Sequence, residues 1–200
     1  MAVWSFSHPN LTQQDHILQI IPAMEFRFAS AYCFPAVRPN TLCYAWFRVW
    51  GNPAVKLGVS LSTNVQSAFS DSETGWSVYL KKGELRHGSN SEGPNFFTLP
   101  QRAEVDVCIK LDRVRGSVTF MVLGEIISRS EIQDSAFLAE ELMYFAAAMY
   151  VGGLESFCEE LGRYDYWEEK KAALLVYMKG CGSILQKLPH ELCRCALEYL

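Results

Sequence analysis

His190, Cys193 and Cys195 lie close together, with Cys181 a little upstream, so a metal centre is the first chemistry to test. Zinc takes four ligands in a tetrahedral array, usually supplied as paired Cys-x-x-Cys units. No such pair is present, and cysteine on a helical face is ordinarily a small hydrophobe. These thiols are therefore expected in a core or an interface, and neither metal nor cofactor is expected. A nucleophilic site would need Cys or Ser within reach of an oriented His. Four histidines and seven cysteines permit many pairings, but none stands in a motif. His8 and His16 fall in a polar N-terminal stretch, where a solvated or locally bonded imidazole is expected. Gly152-Gly153 before Leu154-Glu155 is too sparse for a phosphate-cradling loop. The carboxylate pairs Glu140-Glu141, Glu159-Glu160 and Glu168-Glu169 are adjacent in sequence, so their side chains diverge rather than flank a substrate. The chain carries no catalytic constellation and is expected not to be an enzyme.

Aromatic and basic side chains remain as candidates for binding chemistry. Aromatics make up 13% of the chain. Trp46, Trp50, Trp76 and Phe120 are expected in the core, because aromatics bury large areas in β-sandwiches. Aromatics and arginines on loops at one end of such a fold would instead form a peptide-binding surface.

The elements that would position them read as strands over residues 1–160. Val105, Val107, Ile109 and Leu111 alternate with Glu104, Asp106, Cys108 and Lys110, and Val118, Phe120 and Val122 share one face of the next run. The link Asp112-Arg113-Val114-Arg115-Gly116 is short enough for a hairpin, with Gly116 free to take a positive φ. Trp76, Val78 and Leu80 alternate likewise before a turn at Lys81-Lys82-Gly83. Tyr44 to Trp50 and Val55 to Leu61 give two further runs. Residues 62–74 and 87–95 are polar and read as surface loops. Many short strands between Gly, Pro, Asn and Ser clusters imply a sandwich or barrel.

Composition narrows the class. The chain has 200 residues, half of them apolar, with 18 Lys+Arg against 22 Asp+Glu for a net charge of −4. Disorder requires low hydrophobicity and high net charge, so it is excluded. With no excess of positive charge to neutralise phosphates, no nucleic-acid partner is expected. No apolar run is long enough for a bilayer span and no signal-peptide pattern is visible, so a membrane association is not expected. Irregularly spaced cysteines, odd in number, are expected as reduced thiols in a cytoplasmic or nuclear protein.

The pattern changes near Leu161. Leu174, Met178, Cys181, Leu185 and Leu188 recur at three- and four-residue steps, giving one helical stripe. Leu188-Pro189 opens a second helical stretch, with Pro189 in its first turn. Residues 161–200 are thus expected to form a short α-helical segment after the β domain of residues 1–160. A hairpin that small cannot bury enough surface alone, so its stripe should pack on the β domain or on another protein.

The run Leu111-Asp112-Arg113-Val114-Arg115-Gly116-Ser117-Val118-Thr119-Phe120 resembles the SPRY domain family. Gly75-Trp76, Gly83-Glu84-Leu85-Arg86-His87-Gly88, Tyr44 to Val49 with Leu57-Gly58-Val59-Ser60, and Leu142-Met143-Tyr144-Phe145 match its landmarks in order. The resemblance covers residues 4–160 and implies an antiparallel SPRY-type β-sandwich that binds a target protein or peptide through its loops. It puts the substrate contacts at Arg86, His87, Tyr150, Val151 and Gly152, and a further matching contact segment at Cys33 to Val37. Arg86 is open to two readings, a ligand contact or an ordinary exposed loop charge. At the positions where the SOCS-box subfamily contacts its peptide only Gly152 matches, so that subfamily's Asn-rich peptide specificity does not carry over.

The order of parts also resembles the SPRY domain-containing SOCS box family. Ala173-Leu174-Leu175-Val176-Tyr177-Met178 follows the start of a SOCS box, with Met178 in place of Cys. Leu188-Pro189 then stands for its cullin-engaging element. A second register takes Pro189-His190-Glu191-Leu192-Cys193-Arg194 as the box itself. Either way the resemblance implies a substrate receptor that recruits elongin B/C and a cullin-RING ubiquitin ligase through Leu174, Met178, Leu188, Pro189, Leu192 and Cys193. The alternative expectation is a SPRY interaction module whose tail packs on its own domain and has no ligase role.

Overall fold

The computed structural model describes residues 3–21, 27–88, 90–92, 95–100, 102–123, 128–151 and 155–165. The strands in chain order are β1 (Val3–Ser7), β2 (Leu11–Gln14), β3 (Ile17–Ile20), β4 (Arg27–Phe34), β5 (Leu42–Gly51), β6 (Val55–Ser60), β7 (Gly75–Tyr79), β8 (Glu84–His87), β9 (Asn90–Glu92), β10 (Ala103–Asp112), β11 (Ser117–Leu123), β12 (Ser128–Gln133), β13 (Tyr144–Val151) and β14 (Ser156–Asp165). Two short 3-10 turns, Phe69–Asp71 and Ser135–Leu138, interrupt the loops. The strands build two seven-stranded antiparallel sheets. Sheet A runs β1-β4-β13-β6-β7-β8-β9 and sheet B runs β12-β11-β10-β5-β14-β3-β2. The expected antiparallel sandwich is therefore the observed one. The last strand continues to Asp165, and the chain divides between Tyr164 and Asp165. Residues 161–165, expected to open the helical segment, are instead the end of β14; the rest of that segment lies outside the described residues, and with it Leu174, Met178, Leu188, Pro189, Leu192 and Cys193.

Period-two patterning explains the core. Val105, Val107, Ile109 and Leu111 of β10 and Val118, Phe120 and Val122 of β11 are all buried. They face Phe145, Ala147 and Met149 of β13 and Leu57 and Val59 of β6 in one apolar cluster. The β10–β11 hairpin pairs Asp112 with Ser117, and Gly116 in its turn has φ +73°. Trp4 and Phe145 contact Phe47 at ring-centroid distances of 5.9 and 6.4 Å, which joins the two layers.

Three expectations are corrected. Residues 87–95, expected as a surface loop, carry the end of β8 and the edge strand β9, which pairs with it. Trp46 and Trp50 are not core residues. Ala45, Phe47 and Val49 take the inward face of β5, so alternation puts Trp46 and Trp50 on the outer face of sheet B. There they stack on Tyr44 (5.8 Å) and on Phe157 (5.2 Å, interplanar angle 6°). The polar segment 62–74 is not a simple surface loop either. Ala68, Phe69 and Ser70 are buried, because the segment lies across the outer face of sheet A and builds a second small core with Tyr32, Ala146 and Ala148.

Candidate functional site

Residues paired directly across antiparallel strands share a face. On the outer face of sheet A the register sets Phe28 beside Tyr150, then Ala148, Lys56, Tyr79 and Glu84 in one row, and Ala146, Gly58, Ser77 and Arg86 in the next. Small residues fill the middle of these rows. They leave room for segment 62–74 to lie flat, while Phe28, Tyr79 and Tyr150 stand at the end of the face where β4 begins and β13 finishes.

That end is an aromatic and cationic patch. Phe28 meets Tyr150 at 5.3 Å and Tyr79 at 5.9 Å, both edge-on. The Lys56 ammonium sits 4.5 Å above the Phe28 ring, and the Arg86 guanidinium lies 6.0 Å from the Tyr79 ring centroid. Such contacts are worth about 0.5–2 kcal/mol each, the larger value where water is excluded. Lys56 donates to Asp71 Oδ1 at 2.6 Å, Arg86 donates to Glu84, and Lys82 stands 3.5 Å from the same carboxylate. Burial holds the Lys56 amine below the usual lysine range against the opposing pull of Asp71. Burial and the Glu84 carboxylate push the Tyr79 phenol up. Phe28, Tyr79, Tyr150 and Arg86 are all partly exposed. The rings are thus already ordered and already partly desolvated, which lowers the entropic cost of burying them against a partner.

The overlying segment fixes this arrangement. Ser30 Oγ donates to Ser67 O at 2.6 Å and accepts from the Phe69 amide at 3.0 Å. Tyr32 Oη donates to Asn64 O at 2.5 Å. Asp71 therefore reaches Lys56 from a segment tied to the sheet at several points.

The residues expected from sequence separate onto the two faces. Arg86 and Tyr150 come to the same patch, bridged by Tyr79 and Phe28. His87 follows Arg86 on β8 and so points the other way. It pairs with Trp76, stacks on it at 4.8 Å and 7°, and its Nδ1 lies 3.0 Å from Gly75 O. Val151 is fully buried between the sheets and has no side-chain surface to offer a ligand. Gly152 lies outside the described residues. Phe28, Lys56, Tyr79 and Glu84 were not singled out by sequence. The available signal was Lys56 inside the apolar run Val55-Lys56-Leu57, a cation where both faces of a strand are covered.

Catalytic geometry finds no support among the described residues. Cys33, Cys43, Cys108 and Cys158 are buried and none is in a disulfide, and burial pushes the Cys33 and Cys158 thiols up, away from the reactive thiolate. His8 is buried and locally bonded, its Nδ1 accepting from the Asn10 amide at 3.1 Å. No three His, Cys, Asp or Glu side chains converge as metal ligands among the described residues, and no helix there is long and apolar enough to cross a membrane.

Solved structures of SPRY domains share this architecture. The SPRY domain of human HERC1 superposes with a TM-score of 0.58 at 15% identity, over 78% of this chain and 93% of that one. The TRIM65 PSpry domain gives 0.54 at 15% identity over 78% and 91%. A human SPRY domain gives 0.51 at 10% identity over 75% and 94%. The chain has the SPRY fold. No protein-family model matches the sequence, and no curated protein does.

Proposed function

We propose that the chain is a non-enzymatic interaction adaptor that holds a target protein or peptide on the outer face of sheet A, with Tyr79, Tyr150, Phe28 and Arg86 as its contacts. The observation that carries this reading is the convergence of three half-buried rings, a buried lysine and a half-buried arginine on one preordered surface. Aromatic and arginine side chains of this kind dominate binding energy at protein interfaces. We further propose that residues 161–200 recruit elongin B/C, and through them a cullin-RING ubiquitin ligase, using Leu174, Met178, Leu188, Pro189, Leu192 and Cys193. That part rests on the resemblance of the tail to a SOCS box. Ubiquitin transfer would be carried out by the recruited partners, so this chain needs no catalytic residue.

The two parts are tested separately. Co-expression with elongins B and C, followed by purification of this chain, should yield a stoichiometric complex that Leu174→Asp and Leu192→Asp abolish. No complex with the unaltered chain would remove the ligase role and leave an interaction module alone. Target binding is tested at the patch itself, where Tyr150→Ala should abolish capture of a selected ligand while the fold is retained.

A further inference from the structure

The opposite end of the sandwich has a different construction. The Arg113 side chain, fully buried, donates from Nε to Phe137 O (3.0 Å), from Nη1 to Val37 O (2.9 Å) and from Nη2 to Ala139 O. Its amide donates to Thr41 O at 2.8 Å, and Val37 and Met143 form a β-bridge. One guanidinium thus locks three loops into a single platform: 35–41, 113–116 and 134–143. Apolar side chains stand out from that platform. Phe34 is 45% exposed, Val114 52%, Leu138 50% and Leu142 47%. Leu138 packs over the hairpin turn, where a Cβ at Gly116 would lie 3.1 Å from its Cγ. A rigid cluster of this kind is on the order of a few hundred Å², the size at which an exposed apolar patch marks an interaction site.

The charges around the patch specify the partner. Arg38 and Arg115 are exposed on two of the loops, and Glu140 and Glu141 are exposed on the third. None of these four side chains forms an ion pair or hydrogen bond within the described chain, although Glu140 lies close enough to Arg113 to favour its charge. Two unpaired cations and two unpaired anions border one apolar centre on separate loops. A twofold pairing that brought the basic loops of one copy to the acidic loop of the other would complement both sets of charges. We infer that this end of the sandwich is a self-association surface whose partner is a second copy of the same chain, with Val114, Leu138 and Leu142 at the dyad. The patch is smaller than a standard interface of about 800 Å² per partner, so the dimer is weak and depends on concentration.

Sedimentation velocity on the full chain tests this directly. The unaltered chain should be largely dimeric at about 100 µM and dissociate on dilution. Leu138→Asp with Leu142→Asp should leave it monomeric at the same concentration. Two charge variants keep the test decisive whatever the aspartates do to folding. Arg38→Glu with Arg115→Glu, and Glu140→Arg with Glu141→Arg, should each associate at least about tenfold more weakly than the unaltered chain. Mixed in equal amounts, the two should form a heterodimer, because each reversed loop then meets its opposite charge. A chain monomeric at about 100 µM, or a dimer that all these variants leave unchanged, would overturn the inference.

Discussion

The two ends of the sandwich are ordered by opposite means. At the Arg113 end a single buried cation on one loop satisfies three carbonyls from two others. At the Tyr150 end order is distributed among the Ser30 and Tyr32 hydrogen bonds, the Lys56–Asp71 pair and a set of edge-on aromatic contacts. Phe28 and Phe34 are six positions apart on β4, so the ends are separated by roughly 20 Å along that strand. The difference teaches where each end is fragile. A platform held by one side chain fails when that side chain is removed. A patch held by many weak contacts loses little order when any one is removed, and its rings are free to spend their interaction energy on a ligand.

The largest effect should come from Arg113→Ala. Phe137 O and Ala139 O would lose their donor and Val37 O would keep only the Met143 amide, and each buried acceptor left unsatisfied costs about 1–3 kcal/mol. Chemical denaturation should show that loss. Arg113→Lys should recover only part of it, since an ammonium cannot reproduce the planar fork. Ser30→Ala probes the other end. It removes one acceptor and one donor from the segment over sheet A and should cost about 1–2 kcal/mol by the same measurement. Similar losses for the two variants would contradict the contrast between concentrated and distributed order.

Tyr150→Ala sharpens the comparison functionally. It should weaken ligand binding at least about tenfold, a loss of about 1.4 kcal/mol or more. Self-association through the Arg113 end should be unaffected. Calorimetric titration with a selected ligand separates the two readouts.

The smallest effect concerns Glu160 in the interior. The residue is buried, no hydrogen bond of good geometry reaches either carboxylate oxygen, and burial raises its pKa despite nearby Arg163. A carboxyl whose folded pKa exceeds its unfolded value favours folding most below the unfolded pKa. That advantage is lost as pH rises through the folded pKa. Glu160→Gln should therefore stabilise the chain at neutral pH by about 1 kcal/mol and flatten the fall in stability on the alkaline side of the carboxylate range. Melting temperatures measured from pH 4 to pH 8 check both statements.

Much of the fold was legible because strand alternation writes burial into the sequence. The inward sets Val105 to Leu111 and Val118 to Val122 are buried as their spacing required, and Gly116 takes the positive φ that the hairpin turn demands. Alternation also carries the limits of the reading. Trp46 and Trp50 are aromatic, yet their parity with Phe47 puts them outside. Arg86 and His87 are neighbours in sequence, yet consecutive strand residues cannot serve one surface. The patch itself depends on β4, β6, β7, β8 and β13 lying side by side. That order is set by long-range pairing, which no local pattern encodes, so Phe28 and Tyr79 gave no sign of their meeting. Lys56 did leave a local trace, since a lysine within a doubly covered strand needs a partner such as Asp71.

The most direct test of the central claim is a peptide-library selection against the full chain, with each enriched peptide retitrated against Tyr79→Ala, Tyr150→Ala and Leu138→Asp. The account predicts that the selected peptides lose binding to both tyrosine variants and bind Leu138→Asp as well as the unaltered chain. Enriched peptides that ignore both tyrosine substitutions would show that the outer face of sheet A is not the surface this protein uses.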